Sequence, residues 1–189
     1  DVYKRQEGDL EVEYWSAVAK IPARRNQAIN QLKAINARSP GNNTLQNTLA
    51  QLLFDNDRPA EGFVVLEQMA KSNTGRNAAS TIWYTQIKDL PVSDASVKAL
   101  QKYLTVFSEG DSVAAARSKL SEQQKQLSDP TFRARAQGLA AVDAGQGGRA
   151  VSELQQAVRA NQNDSEAVGA LGQAYSQRGD RASAVAQFK

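Results

Sequence analysis

Residues 143–150, DAGQGGRA, set three glycines ahead of an arginine, a run whose backbone N–H groups could wrap a phosphate. That chemistry needs a strand before the glycines, a helix after them and a fixed spacing. No strand-forming run precedes Asp143, and the spacing fails, so a turn between helices is the expectation. Residues 55–59, DNDRP, place Asp55 and Asp57 as in a calcium loop. Pro59 takes the next ligand position and no glutamate closes the loop, so a helix-ending turn is expected here too. Asn42-Asn43-Thr44 and Asn163-Asp164-Ser165 fit the glycosylation sequon, yet both fall where helix caps are needed. The chain has no histidine and no cysteine. This removes imidazole bases, thiolate nucleophiles, disulfides and the usual zinc, copper and haem ligands together. Carboxylates are present, but no spacing marks one as an acid and another as a base. No catalytic residue, metal ligand or cofactor is assigned.

What remains is architecture. The 189 residues are 41% apolar, enough to bury a core, and Ala, Gln, Leu, Arg and Ser dominate over β-branched and aromatic types. That balance points to helices. A period of 34 residues organises them: Gly138 recurs as Gly172, Gly145 as Gly179, and Ala150 as Ala184. In the N-terminal part Ser16 aligns with Ala50, Ala28 with Gly62, and Leu32 with Leu66. This is the length of a tetratricopeptide (TPR) unit, two antiparallel helices joined by a tight turn. The expected fold is all-α: a right-handed superhelical solenoid of such pairs, with one extra unpaired helix in the middle.

The physical logic is close approach. Where the first helix of a pair crosses the second, only a small side chain fits. Ser16, Ala50, Gly138 and Gly172 supply it on first helices, and Ala28, Gly62, Ala150 and Ala184 on second helices. Larger residues, among them Trp15 and Tyr175, fill between them. One hairpin cannot cover its own apolar face, so stacking must do it. Pro22, Pro40 and Pro130 fall at helix boundaries, and Gly145 and Gly179 fall where left-handed C-caps belong.

The ruler assigns repeats to residues 9–42 and 43–76, and to residues 131–164 and 165–189, the last truncated. Residues 1–8 are expected to be a non-native or frayed lead-in. Residues 77–130 number 54, one repeat plus about one helix, and read as three helices that could form a hinge. Truncation at Lys189 would leave Tyr175, Val185 and Phe188 uncovered. Gln137, in a usually apolar position, departs from the ideal repeat.

First helices of such repeats line a concave surface. The ruler places Asn47, Gln51, Phe54, Arg135 and Gln173 there as candidate binding residues. Between Tyr14 and Phe54 there is no acidic residue, whereas Lys20, Arg24, Arg25, Lys33 and Arg38 are present. The bland account is a solvated face; the sharper one is a docking patch for an acidic partner. Nucleic acid is not expected, since interleaved aromatics and reader motifs are missing. Trp83, Tyr84, Tyr103 and Phe107 could stack on a sugar ring, although core filling is the default at helical spacing. No apolar run approaches the roughly 20 residues of a membrane-spanning helix.

Longer strings carry a narrower resemblance. EYWSAVAKIPARRNQAINQLKAINARSPGN, EGFVVLEQMAKSN, IWYTQIKDLPVSDASVKALQKYL and FRARAQGLAAVDAGQGGRAVSELQQAVRANQNDSEAVGALGQAYSQRGDRASAVA closely resemble the cellulose synthase operon protein C family of enterobacteria. The resemblance runs from about Glu7 to the end. It implies a periplasmic repeat region of an outer-membrane-anchored protein that guides nascent cellulose from the inner-membrane synthase to the exit pore. It implies no catalytic residue, and as partners it implies other subunits of the cellulose synthase complex and the glucan chain. The residues alone leave open a general peptide- or protein-binding adaptor. An enzyme such as a glycoside hydrolase ranks last.

Overall fold

A computed structural model describes residues 2–188, with side chains from Asp9 onward. Eleven α-helices make up the described residues: α1 (Val2–Val18), α2 (Arg25–Arg38), α3 (Asn43–Phe54), α4 (Pro59–Met69), α5 (Arg76–Ile87), α6 (Asp94–Val106), α7 (Asp111–Leu127), α8 (Pro130–Asp143), α9 (Gly147–Ala160), α10 (Ser165–Gln177) and α11 (Arg181–Gln187). No strand occurs among the described residues. The fold is an all-α array of the tetratricopeptide type. Expectations about residues 1–8 and Lys189 rest on side chains outside the described residues.

The helix ends follow from local chemistry. Asn42, Asp129, Asp164 and Asp180 each accept a backbone N–H of the helix they open, satisfying donors that have no intrahelical partner. Of the two sequons, the first is thus capped by its Asn42 and the second by its central Asp164. Gly145 and Gly179 adopt positive φ, 69° and 83°. There the chain reverses as Gln146 N–H bonds Ala141 O at 2.8 Å and Asp180 N–H bonds Tyr175 O at 2.9 Å. These are Schellman closures. Asp57 does the same at φ 55°, with Arg58 N–H on Leu53 O at 2.9 Å. DNDRP is therefore a helix C-cap, and DAGQGGRA is another. Its second glycine, Gly147, lies against α10: an added Cβ would come within 2.8 Å of Ala174 O.

The chain divides into two compact units. One holds Asp1–Asp89 with Lys102–Ala116; the other holds Leu90–Gln101 with Arg117–Lys189. Helices α6 and α7 each contribute to both. In the first unit an aromatic file links α3, α4, α5 and α6: Phe54 meets Phe63 edge-on, Phe63 meets Trp83, and Trp83 meets Phe107. Tyr103 packs on Phe107 and shares a 2.5 Å hydrogen bond with Ser80. Trp83, Tyr103 and Phe107 are buried. They build the core and present no stacking platform; Tyr84, the fourth stacking candidate, is half-buried against Tyr103.

In the second unit the core gathers Ala141, Val142, Ala150, Leu154, Leu171 and Tyr175, among others. Gly138 sits where α8 crosses α9, and an added Cβ would lie 2.5 Å from Leu154 Cγ. Gly172 has the same relation to the Phe188 ring, also at 2.5 Å. Tyr175, expected to be uncovered, is buried and accepts a 2.7 Å hydrogen bond from Gln155. Val185 and Phe188 are exposed. Gln137 departs from the apolar pattern because its amide donates to Asp94 at 2.9 Å, joining α8 to α6.

The first pair is built differently. Ser16, expected at a helix crossing, is half-buried and its hydroxyl donates back to Val12 O at 2.6 Å. Val18 and Ala19 take the buried positions beside Ala28, with Trp15 packed partly against them.

Two glycines of the same unit give opposite expectations. Gly169, mid-way along α10, would place an added Cβ with nothing within 4 Å, so Gly169→Ala should stabilise by about 0.5–1 kcal/mol. Gly138→Ala gains the same helix propensity but drives Cβ into Leu154, with a net loss of about 1–2 kcal/mol. Urea denaturation of the two variants checks both signs.

Candidate docking surfaces

Helices α2 and α4 are the second members of the first two pairs. Each turns a buried stripe inward: Ala28, Ile29, Leu32 and Ile35 from α2, and Val65, Leu66 and Met69 from α4. Between their outer edges runs a groove of about 540 Å³. Its floor is aliphatic: Ala37, Leu49, Ala60, Val64 and Val65. Val64 is 51% exposed at the groove.

The groove is edged by polar groups that already interact. Glu61 accepts from Arg58 Nε at 2.6 Å and also pairs with Lys33 of α2. The Arg58 guanidinium, then the Lys33 ammonium, hold the Glu61 carboxyl at about 2, down from its ordinary 4.5. Further along, Asn36 Nδ2 donates to Gln68 Oε1 at 3.0 Å. Asn36 is only 7% exposed, and its Oδ1 has no donor. An unpaired buried carbonyl oxygen is a standing cost.

The structure redistributes the five cations expected as one basic patch. Lys33 is paired with Glu61, and Arg38 reaches Glu11 at 3.2 Å. Arg25 is half-buried; it caps the end of the first helix through Ala19 O at 3.1 Å and touches Asn56 Oδ1 at 3.4 Å. Lys20 and Arg24 are exposed and form no ion pair among the described residues. The absence of acids from residue 14 to 54 did not predict an unopposed patch, because the neutralising acids come from α1 and α4.

The five residues expected on a concave face also separate. Asn47 and Gln51 are exposed on α3, where Gln51 donates to Asp55 at 3.0 Å, and Gln173 is exposed on α10. Phe54 is half-buried instead, its ring 2.9 Å from where a Gly62 Cβ would stand, because the glycine leaves a vacancy that the ring fills. Arg135 is a clamp between repeats. Its Nε donates to Asp164 at 2.6 Å, and it also pairs with Glu166. Arg135 first, then the Ala167 N–H, lowers the Asp164 carboxyl. Among the described residues, no three His, Cys, Asp or Glu side chains converge as a metal site requires. No helix among the described residues is long and apolar enough to cross a membrane.

No protein-family model matches the chain. Over 183 residues, 97% of its length, it is 74% identical to cellulose synthase operon protein C of Escherichia coli (strain K12). The chain is homologous to a segment of cellulose synthase operon protein C. The Salmonella typhimurium (strain LT2) protein of that name is 76% identical over 164 residues, 87% of this chain. The chain spans only 16% and 14% of the length of these two curated relatives. A crystal structure of the flexible tandem repeat domain from the C component of bacterial cellulose synthase matches 64% of this chain and 50% of its own, with TM-score 0.62 and 67% identity.

Glu61 makes its pairing with Arg58 and Lys33 acid-sensitive. A carboxyl held below its ordinary value adds stability in full above pH 4.5, and that stability is lost as the pH falls towards 2. The Glu61 side chain is 41% exposed, so water screens part of the effect. Glu61→Gln should lower the melting temperature slightly at pH 7 and flatten its decline between pH 4.5 and 2. Far-UV circular dichroism melts across that range measure both.

Proposed function

We propose that this chain is a non-catalytic repeat segment of a bacterial cellulose synthesis and export apparatus. In this reading it lies in the periplasm, within an outer-membrane-anchored protein, and docks other members of the synthase complex. The observation that carries the proposal is the 74% identity to cellulose synthase operon protein C over nearly the whole chain. The match to the tandem repeat domain of the cellulose synthase component supports it.

The geometry favours a protein partner over direct handling of glucan. A glucan chain is best held by exposed aromatic faces, which cover the apolar side of each sugar ring. Here Trp83, Tyr103 and Phe107 are spent in the core and Tyr84 is half-buried, while the exposed aromatics Tyr14 and Phe188 stand far apart in the sequence. The α2–α4 groove offers an aliphatic floor with a charged edge, the chemistry of a peptide-binding surface. Asn47, Gln51 and Gln173 present exposed amides that suit either ligand.

The test immobilises the 189-residue chain and compares two analytes. Purified periplasmic parts of the synthase should be captured saturably, with Kd of about 1–100 μM. Cellohexaose should give no response up to about 1 mM. Cellohexaose binding with no synthase part captured would turn the reading towards a glucan guide. Response to neither would return it to a general adaptor.

A further inference from the structure

We infer that the outward face of α1 pairs two copies of this chain, antiparallel about a two-fold axis, through Leu10, Tyr14, Ala17 and Ile21. The inference goes beyond the docking of synthase parts and does not depend on it.

The stripe comes first. Leu10, Tyr14 and Ala17 stand at i, i+4 and i+7 of α1, and Ile21 follows at i+11 in the turn that ends it. That spacing sets them along one face. Leu10 is 64% exposed, Tyr14 56% and Ile21 49%, and Ala17 is exposed as well. Exposed apolar side chains scattered singly need no account, but a row of them does.

The row is not the flank on which a neighbouring repeat packs. One period of 34 residues on, the same places in α3 are Thr44, Thr48, Gln51 and Asp55. Helix α2 packs against α3, yet Thr44, Gln51 and Asp55 stay exposed and Thr48 is half-buried. A helix laid on α1 in the same way would leave the stripe open. The places such packing does close are others: Leu45 and Leu49 are fully buried in α3, and their counterparts Glu11 and Trp15 in α1 are half-buried. At the open places α3 carries polar side chains, whereas α1 carries apolar ones.

The stripe is complementary to itself. Laid antiparallel, Leu10 of one copy meets Ile21 of the other, and Tyr14 meets Ala17. A ring over a methyl lets the two helices approach closely at the centre of the contact. Charge fixes the direction. Glu13 and Lys20, seven residues apart, flank the stripe on one side. Both are exposed, and neither forms an ion pair among the described residues. Where two helices pack antiparallel about a two-fold axis, like flanks meet, so Glu13 of each copy faces Lys20 of the other. A parallel pair would instead turn Glu13 towards the opposite flank, which holds Glu11 and Val18. The turn between α3 and α4, touched by Arg25 at Asn56, brings Asp55 and Asp57 to the same end of the array as Lys20. Direction therefore rests on the local meeting of Glu13 with Lys20 and not on net charge. Four apolar side chains from each copy fall at or under the lower end of specific interfaces, about 1,200 Å², so the dimer is weak, with Kd of about 10–100 μM.

Sedimentation equilibrium of the 189-residue chain, from about 5 to about 500 μM, tests this. The data should fit monomer and dimer with no larger species, because an isologous contact closes on itself. Tyr14→Asp should weaken the dimer by at least about tenfold. Tyr14 also meets Trp15 edge-on, so a second series spares the stripe. Glu13→Lys and Lys20→Glu, both on exposed positions, should each weaken the dimer by about three- to tenfold. The double variant Glu13→Lys with Lys20→Glu should restore it to within about twofold of wild type, with the same salt dependence. A monomer at every concentration would overturn the inference. So would an unaffected Tyr14→Asp, a double variant no tighter than either single one, or open-ended growth into larger species.

Discussion

The array depends on a missing side chain. In three of the pairs the helices nest where one presents a glycine and the other drives a large side chain into the gap. In the last two pairs the glycine is on the first helix, and the second supplies the knob: Leu154 over Gly138, Phe188 over Gly172. In the pair formed by α3 and α4 the roles reverse. The glycine is Gly62 on the second helix, and Phe54 on the first lies over it. Alanine occupies the reciprocal place each time, Ala150, Ala184 and Ala50. The first pair has no glycine at either place, only Ser16 and Ala28, and its packing shifts along α1 to Val18 and Ala19. The same contact is thus made in two mirrored ways, and where the glycine is lost the register moves.

That reversal explains why some positions were legible in the sequence and others not. Spacing of small residues is a local property, and it located the crossings correctly in outline. Which helix supplies the knob is a joint property of two positions, and a ruler that treats all first helices alike sends Phe54 to the wrong face. The C-caps show the same division. Gly145 and Gly179 announce a left-handed residue through composition. Asp57 occupies the same turn and the same conformation, yet aspartate is at home in many turns and announces nothing. The signal that could have found it was position, one period-frame with Gly145 and Gly179, rather than residue type.

Charge was the least legible property. A stretch free of acids looks basic when it is read along the chain. In three dimensions each helix borrows counter-charge from about one repeat away: Lys33 from Glu61, Arg38 from Glu11, Arg135 from Asp164 and Glu166. Pairs of this kind, on partly exposed side chains, are worth about 0–1 kcal/mol each. Their size makes them poor anchors of the fold. They matter more as registration: Lys33–Glu61 and Arg135–Glu166 join one repeat to the next, and Arg38–Glu11 ties the two helices of the first pair.

The Arg135 clamp shows how stacking and capping become one event. Asp164 caps α10 through the Ala167 N–H and at the same time accepts from Arg135 of α8. The start of one repeat is therefore set by a carboxylate that the previous repeat holds in place. The first two pairs use different means: Asn42 caps α3 while Gln46, fully buried, donates to Pro40 O at 2.7 Å across the turn. Here neutral amides do the joining, and amides leave loose ends. Gln46 Oε1, Asn43 Oδ1 and Asn36 Oδ1 are all buried without donors. Asn36 and Gln46 lie at the junction of the first two pairs, whereas Asn43 faces Thr74 and Gly75 just ahead of α5. A junction tied by charge, as at Arg135, engages its carboxylates on both sides of the turn, whereas one tied by amides leaves buried acceptors without donors.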